Sequence, residues 1–187
     1  MARKRKDWHD LISGFNINHL VFLDESGCNT DMTRRYAYSL GGSRAVDSAP
    51  LSKPKNTTIL SSIQLDGTLR YTTFSSGTTV ERFKRYLKTD LLPHLNGNSV
   101  LIMDNMKSHH AKAVKKLLDS SEIRYIYLPP YSPDLNPIEK LWSKVKSFLR
   151  KFKARTLDAL PNAIQNAFHS VTISDCSGWF RFCGYAL

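Results

Sequence analysis

SVLIMDN, residues 99–105, is a short apolar run closed by an aspartate, and its reading decides the fold. Four consecutive apolar residues bounded by polar ones read as a buried strand rather than a helix. HLVFLD (19–24) has the same form. Each run ends on an acid, so Asp24 and Asp104 are both expected at the C-terminal end of a strand. If the two strands are neighbours, their carboxylates emerge side by side at one edge of a sheet.

Working outward, TTILSSIQLDGTLRYTTFSS (57–76) has two strand-like halves around Asp66-Gly67, the strongest short hairpin signal in the chain. Residues 79–92 place Val80, Phe83, Leu87 and Leu91 at helical spacing, stopped by Pro93. A helix is expected from about Ser108 to Ser120, with Val114, Leu117 and Leu118 inward. EIRYIYLPP (122–130) reads as a fifth strand ended by prolines. NPIEKLWSKVKSFLRKF (136–152) reads as a helix with Asn136 as N-cap and Pro137 at the first position. Its expected core stripe is Ile138, Leu141, Val145, Phe148 and Phe152.

Residues 7–17 read as a short lead-in helix behind a basic cluster, and 156–169 as another amphipathic helix before an aromatic tail. Three strands, helix, strand, helix, strand, helix is the order of a mixed α/β sheet covered by helices. The division expected is a basic segment and lead-in helix over 1–17, a core over 18–153 and a helical extension over 154–187.

The chain has 187 residues, with 27 Lys and Arg against 16 Asp and Glu, a net charge of +11. That balance concerns partners rather than fold, and it favours a polyanion such as DNA or RNA, or an anionic membrane surface. No apolar run is long enough to span a membrane, and MARKRKDWHD lacks the apolar stretch of a secretory signal. The expectation is therefore a soluble cytoplasmic protein. Cys28, Cys176 and Cys183 are odd in number and carry no metal-site spacing, so they read as reduced thiols in or near the core.

Thirty-four residues lie between Asp104 and Glu139, and Glu139 falls in the first turn of its helix. Each acid alone has a plain explanation, as a turn former or a helix-start acid. Together, on a basic chain, Asp24, Asp104 and Glu139 are a cage for two divalent cations facing a polyanion. Hard oxygen donors suit Mg²⁺, with Mn²⁺ as a substitute. Two such ions roughly 4 Å apart serve both oxygens of a phosphodiester displacement.

FLDESG (22–27), LIMDNMKSH (101–109) and LPPYSPDLNPIEKLW (128–142) resemble the three signature blocks of mariner-like DDE transposases, most closely their bacterial insertion-sequence branch. ARTLDAL (154–160) and WFRFCGY (179–185) are also similar to that branch, so the likeness runs from about Arg3 to Tyr185. The resemblance implies an RNase H-like, retroviral-integrase-type fold with a five-stranded sheet, and Asp24, Asp104 and Glu139 as the metal-binding triad. It implies cut-and-paste transposition at TA targets by a bacterial, nucleoid-associated protein. Family members carry helix-turn-helix modules ahead of this region. Such an end-binding part is expected from an upstream reading frame joined by frameshifting, or else the copy is truncated. Working on two ends implies a homodimer or higher assembly on DNA. The alternatives on the same residues are an RNase H-like nuclease and a domesticated, non-catalytic DNA-binding module.

Asn105 and His109 match the second block and are candidates to orient phosphate or a metal-bound water. Glu25 would face the other way if its strand continues. Tyr131, Ser132, Pro133 and Pro137 form a stiff loop that presents Glu139, since proline fixes φ. Lys140, Lys144, Lys146, Arg150, Lys151 and Lys153 crowd the last core helix, and Arg34, Arg35, Arg44, Lys53 and Lys55 form a second basic group. Both groups are expected to contact DNA phosphates. Trp8, Trp142 and Trp179 read as core or interface residues.

Overall fold

The computed structural model describes residues 2–34, 36–48, 50 and 54–185. Arg35 and Lys53, expected to contact DNA, lie outside the described residues. The hairpin is where the sequence placed it: β2 (Thr57–Ile63) and β3 (Leu69–Ser75) pair antiparallel from Ile63↔Leu69 to Thr57↔Ser75. Gly67, at φ 86°, takes the left-handed position of the connecting loop, which Gln64 N–H closes onto Thr68 O at 3.1 Å.

β1 (Leu20–Cys28) sits at the centre of the five-stranded sheet, ordered β3-β2-β1-β4-β5, with β4 over Val100–Met103 and β5 over Arg124–Tyr127. The pairing corrects one expectation. β1 runs parallel to β4 only from Leu20↔Val100 to Leu23↔Met103, but stays paired with β2 as far as Cys28↔Thr57. Asp104 thus lies just past the end of its strand, whereas Asp24 is in mid-strand, at the point where its β4 neighbour stops. The long β2 partner, not the local sequence, carries β1 onward.

Strand alternation divides the core in two. On one face, Leu20, Phe22, Ile59, Ile63 and Ile102 pack against α1 (Ala2–Ile12), α4 (Ile138–Phe152), α5 (Ala159–His169) and α6 (Ile173–Phe182). On the other, Val21, Leu23, Leu60, Leu101 and Met103 meet α2 (Val80–Tyr86), the π turn Leu87–Leu91 and α3 (Lys112–Asp119). The central strands are buried on both faces, and each such Leu, Ile or Phe contributes roughly 1.5–3 kcal/mol.

Several helix limits differ from the expected ones. α1 begins at Ala2 and ends at Ile12, taking in the basic cluster; Arg5 pairs with Asp134 in the loop before α4. α3 starts at Lys112 instead of Ser108, because His109 is fully buried, stacked on Phe83 at 4.3 Å, and Met106–Ala111 turn to place it there. The α4 stripe is Ile138, Leu141, Trp142, Val145 and Leu149, while Phe148 is only partly buried and Phe152 is exposed. That choice follows from which side of α4 the sheet occupies. Asn136 has extended dihedrals and Pro137 helical ones, yet the Asn136 side chain makes no capping bond.

The chain's two ends meet beneath the α4 loop. α6, opened by a Thr172/Asp175 capping box, sets Phe180 edge-on to Phe22 at 5.4 Å. Tyr185 Oη donates to Leu135 O at 2.6 Å and accepts from Trp8 Nε1 at 3.3 Å. Cys28, Cys176 and Cys183 are free and buried, and burial pushes each thiol up to about 11. Among the described residues, no helix is long and apolar enough to cross a membrane.

Candidate active site

Asp24, Asp104 and Glu139 line one cavity of about 400 Å³, walled by Asn105, Met106, Leu128–Pro133 and Asn136. β1 supplies the first acid, the residue after β4 the second and the first turn of α4 the third.

The three acids sit in different surroundings. Asp24 is 7% exposed and accepts one hydrogen bond from Trp142 Nε1, at 3.0 Å. Burial pushes its carboxyl up to about 7; the Glu25 amide and Trp142 oppose this, and the like charges of Asp104 and Glu139 reinforce it. Burial also works against ionisation of Asp104. There His109 outweighs it, joined by the Met106 N–H at 3.0 Å and by His110, and holds the carboxyl below its usual value. His109 Nδ1 lies 2.8 Å from Asp104 Oδ1. Glu139 is exposed at the cavity edge.

The cavity is lined by the triad, but the acids do not close on a point. Among the described residues, no three His, Cys, Asp or Glu side chains are grouped tightly enough to hold an ion. Three like charges repel, and Asp104 is drawn toward His109. The donor chemistry still fits a hard divalent cation. All three groups are carboxylates, and neither Asp24 nor Glu139 has an ion-pair partner among the described residues.

The candidate supporting residues act behind the acids. Asn105 Nδ2 donates to Leu128 O at 2.5 Å, latching the end of β4 to the segment after β5. His109 does not line the cavity; it backs Asp104 from the core. Glu25 faces the opposite side of the sheet from Asp24, as expected for a continuing strand, and burial there raises its carboxyl above the usual value. Tyr131 is 86% exposed at the cavity mouth with φ 55°, a left-handed conformation costly for a bulky side chain.

Sequence reasoning missed Trp142 as an Asp24 partner, although its position three residues after Glu139 puts both over the same turn. Trp142→Phe keeps the ring in the core but leaves Asp24 Oδ2 without its donor. It should cost about 2–4 kcal/mol and lower the melting temperature of the metal-free protein. An unchanged melting temperature would remove this bond from the account. The sequence reads Asn136 as a cap; instead it is buried in the cavity wall, its Oδ1 without a partner among the described residues.

The basic residues do not form one surface. Arg34, Lys151 and Lys153 line a cavity of about 770 Å³ with the loop that follows β1, and Lys153 bonds Asp47 at 2.5 and 2.7 Å. Lys144 pairs with Asp175 at 2.5 Å, and Lys140 lies over the Phe182 ring at 3.6 Å. Lys146 and Arg150 are half-buried along α4, Arg44 is exposed, and Lys55 lines a separate cavity with Asn29 and Asn56. Such exposed pairs are weak and leave these cations able to exchange partners.

The DDE superfamily endonuclease family matches residues 19–161, a span that contains all three acids. The Tc1 transposase of Caenorhabditis elegans is 28% identical over 92 residues, 49% of this chain and 34% of that protein. The Tcb2 transposase of Caenorhabditis briggsae is 29% identical over 75 residues, 40% of this chain and 28% of that protein. The chain thus spans about a third of the length of the curated relatives it matches. Among solved structures, a Mos1 transposase paired-end complex with the left transposon end superposes with a TM-score of 0.79 at 20% identity, covering 96% of this chain and 57% of that one. The catalytic domain of Mos1 mariner transposase gives 0.70 at 17% identity, covering 97% and 85%. The fold is therefore RNase H-like, and the chain belongs to the DDE superfamily endonucleases.

Proposed function

We propose that this chain is the catalytic domain of a Tc1/mariner-type DNA transposase, of the bacterial insertion-sequence branch, acting in the cytoplasm on the nucleoid. The observation that carries the reading is the meeting of Asp24, Asp104 and Glu139 at one cavity, on three elements and with thirty-four residues between the last two. Structural neighbours include Mos1 complexes described as a paired end with Mg, a paired end with Mn and a strand transfer complex. We assign residues 18–153 as the core that holds the site and 154–187 as the extension that anchors it through Tyr185.

Asp24, Asp104 and Glu139 would hold the divalent cations. When bound, two Mg²⁺ or Mn²⁺ ions would activate the attacking hydroxyl and stabilise the leaving oxygen. The chain's own residues do the rest. Trp142 fixes the Asp24 carboxylate through Oδ2, leaving Oδ1 for a ligand. His109 and the Met106 amide set the direction of Asp104. The loop that opens with the Pro129–Pro133 wall is held at Leu135 by the Tyr185 hydroxyl and leads into α4 and Glu139. The substrate is duplex DNA, positioned by cations on α4 and the loop after β1. An upstream helix-turn-helix part would recognise the ends, and two copies would assemble on them.

The test is a strand-transfer assay with the chain fused to its end-binding part, a pre-cleaved end duplex and a supercoiled plasmid. Joined products at TA sites that require Mg²⁺ or Mn²⁺ are expected. Plasmid nicking without joining would assign a nuclease instead.

A further inference from the structure

The sheet face opposite α4 carries charge that the proposed site does not use. β4 runs parallel to β1, and β3 runs in the same direction because both β1 and β3 are antiparallel to β2. α2 follows β3 and α3 follows β4, so both helices start at the edge that bears Asp24 and Asp104, and both run away from it. Between them lies a groove of about 480 Å³, with Lys84, Arg85 and Lys88 on one wall, Lys116 on the other, and Leu117 among its lining. Lys112, one turn before Lys116 on α3, stands nearer the site edge, and Lys107 is exposed in the loop after Asp104.

These cations are uncompensated. None of Lys84, Arg85, Lys88, Lys112, Lys115 and Lys116 has a carboxylate within ion-pair distance among the described residues. Lys84 with Lys88 and Lys112 with Lys116 are like charges one turn apart, which destabilises the segments they sit on. The nearby acids do little to offset them: Asp119 accepts the Tyr125 hydroxyl at 2.9 Å, and Glu81 stands at the groove's rim. Arg82, by contrast, is engaged by Ser76, Gly77 and the Phe74 ring. Unpaired cations on two facing helices are what a polyanion neutralises with release of its counterions.

We propose that the α2–α3 groove is a second duplex-DNA track, binding the phosphate backbone of the DNA arm that leaves the catalytic cavity on the side away from α4. The inference rests on the DNA-transposase reading above. Lys107 is exposed in the loop that follows Asp104, and Lys112 and Lys116 continue along α3 to the groove, so the substrate placed at the catalytic cavity is the partner they meet first. An acidic protein segment would need a route of its own to the same groove.

The experiment compares duplex binding by the wild type, a Lys84→Ala/Lys88→Ala/Lys116→Ala variant and a Lys146→Ala/Lys151→Ala variant, from about 50 to 200 mM salt. The triple variant should bind at least about tenfold more weakly at the low end, with a log–log salt slope shallower by about 2 to 3. Its melting temperature should be unchanged or higher, because like charges are removed. Replacing the same three lysines by arginine should restore wild-type binding. Unaltered affinity and slope in the triple variant, beside a wild type that binds, overturns the groove and leaves the α4 contacts standing. Loss of polyglutamate binding in place of DNA binding also overturns it and assigns an acidic protein. A wild type that binds no duplex removes the transposase reading as well.

Discussion

Asp24→Asn, Asp104→Asn and Glu139→Gln should each lower end cleavage and strand transfer by about a thousandfold or more, with folding intact. The substitutions are near-isosteric. Asn at 24 still offers an oxygen to Trp142 Nε1, Asn at 104 still accepts from His109, and Gln at 139 lies on an exposed first turn. What each removes is one negative charge from the shared cavity. The measurement is made on the chain joined to the proposed end-binding part, in Mg²⁺ and again in Mn²⁺. Activity within tenfold of the wild type in any one variant takes that residue out of the mechanism.

Stability of the metal-free protein should fall as pH rises from about 4 to about 8, and Asp24→Asn should abolish most of that fall. The folded Asp24 carboxyl is pushed up to about 7, while in the unfolded chain it titrates near its ordinary value of about 3.9. Between those values the unfolded state releases a proton that the folded state retains, so the fold loses stability as pH climbs. The full loss is on the order of 4 kcal/mol, complete above the folded value. Asp104 works in the opposite sense. Its lowered carboxyl supports the fold at neutral pH, and that support is lost as pH falls into the acid range. Because a divalent cation competes with the Asp24 proton, Mn²⁺ should raise the melting temperature more at pH 8 than at pH 5. Melting curves in chelator, with and without Asp24→Asn, decide the matter, and parallel pH profiles for the two proteins would sink the argument.

Much of this was legible from residues alone. Short apolar runs, LVFL and VLIM, are buried on both sides whatever surrounds them, so β1 and β4 and the acids that close those runs could be placed from local pattern. Asp66-Gly67 specified its hairpin because only a few residue types accept that loop's left-handed position. The distance from Asp104 to Glu139, one helix and one strand, brings the second and third acids back to the same edge. The sheet, its order of elements and the three candidate acids were therefore determined by the sequence.

Other features depended on partners far along the chain, which no local period encodes. β1 continues past Asp24 because β2, some thirty residues later, still offers hydrogen bonds there. Trp142 reaches Asp24 across 118 residues of sequence and Tyr185 reaches Leu135 across 50, so neither contact leaves a trace in its own neighbourhood. His109 reads as a cavity residue from its place after Asp104, yet the fold stacks it on Phe83 and buries it behind the acid. The α4 stripe shifted to Trp142 and Leu149 because a helix offers several adjacent apolar rows, and only the position of the sheet selects one. Sequence determined which groups the site contains. Tertiary packing decided which carboxylate is buried and harder to ionise, which is held ionised by a histidine and which stands exposed at the edge, because those properties depend on desolvation and neighbouring charge.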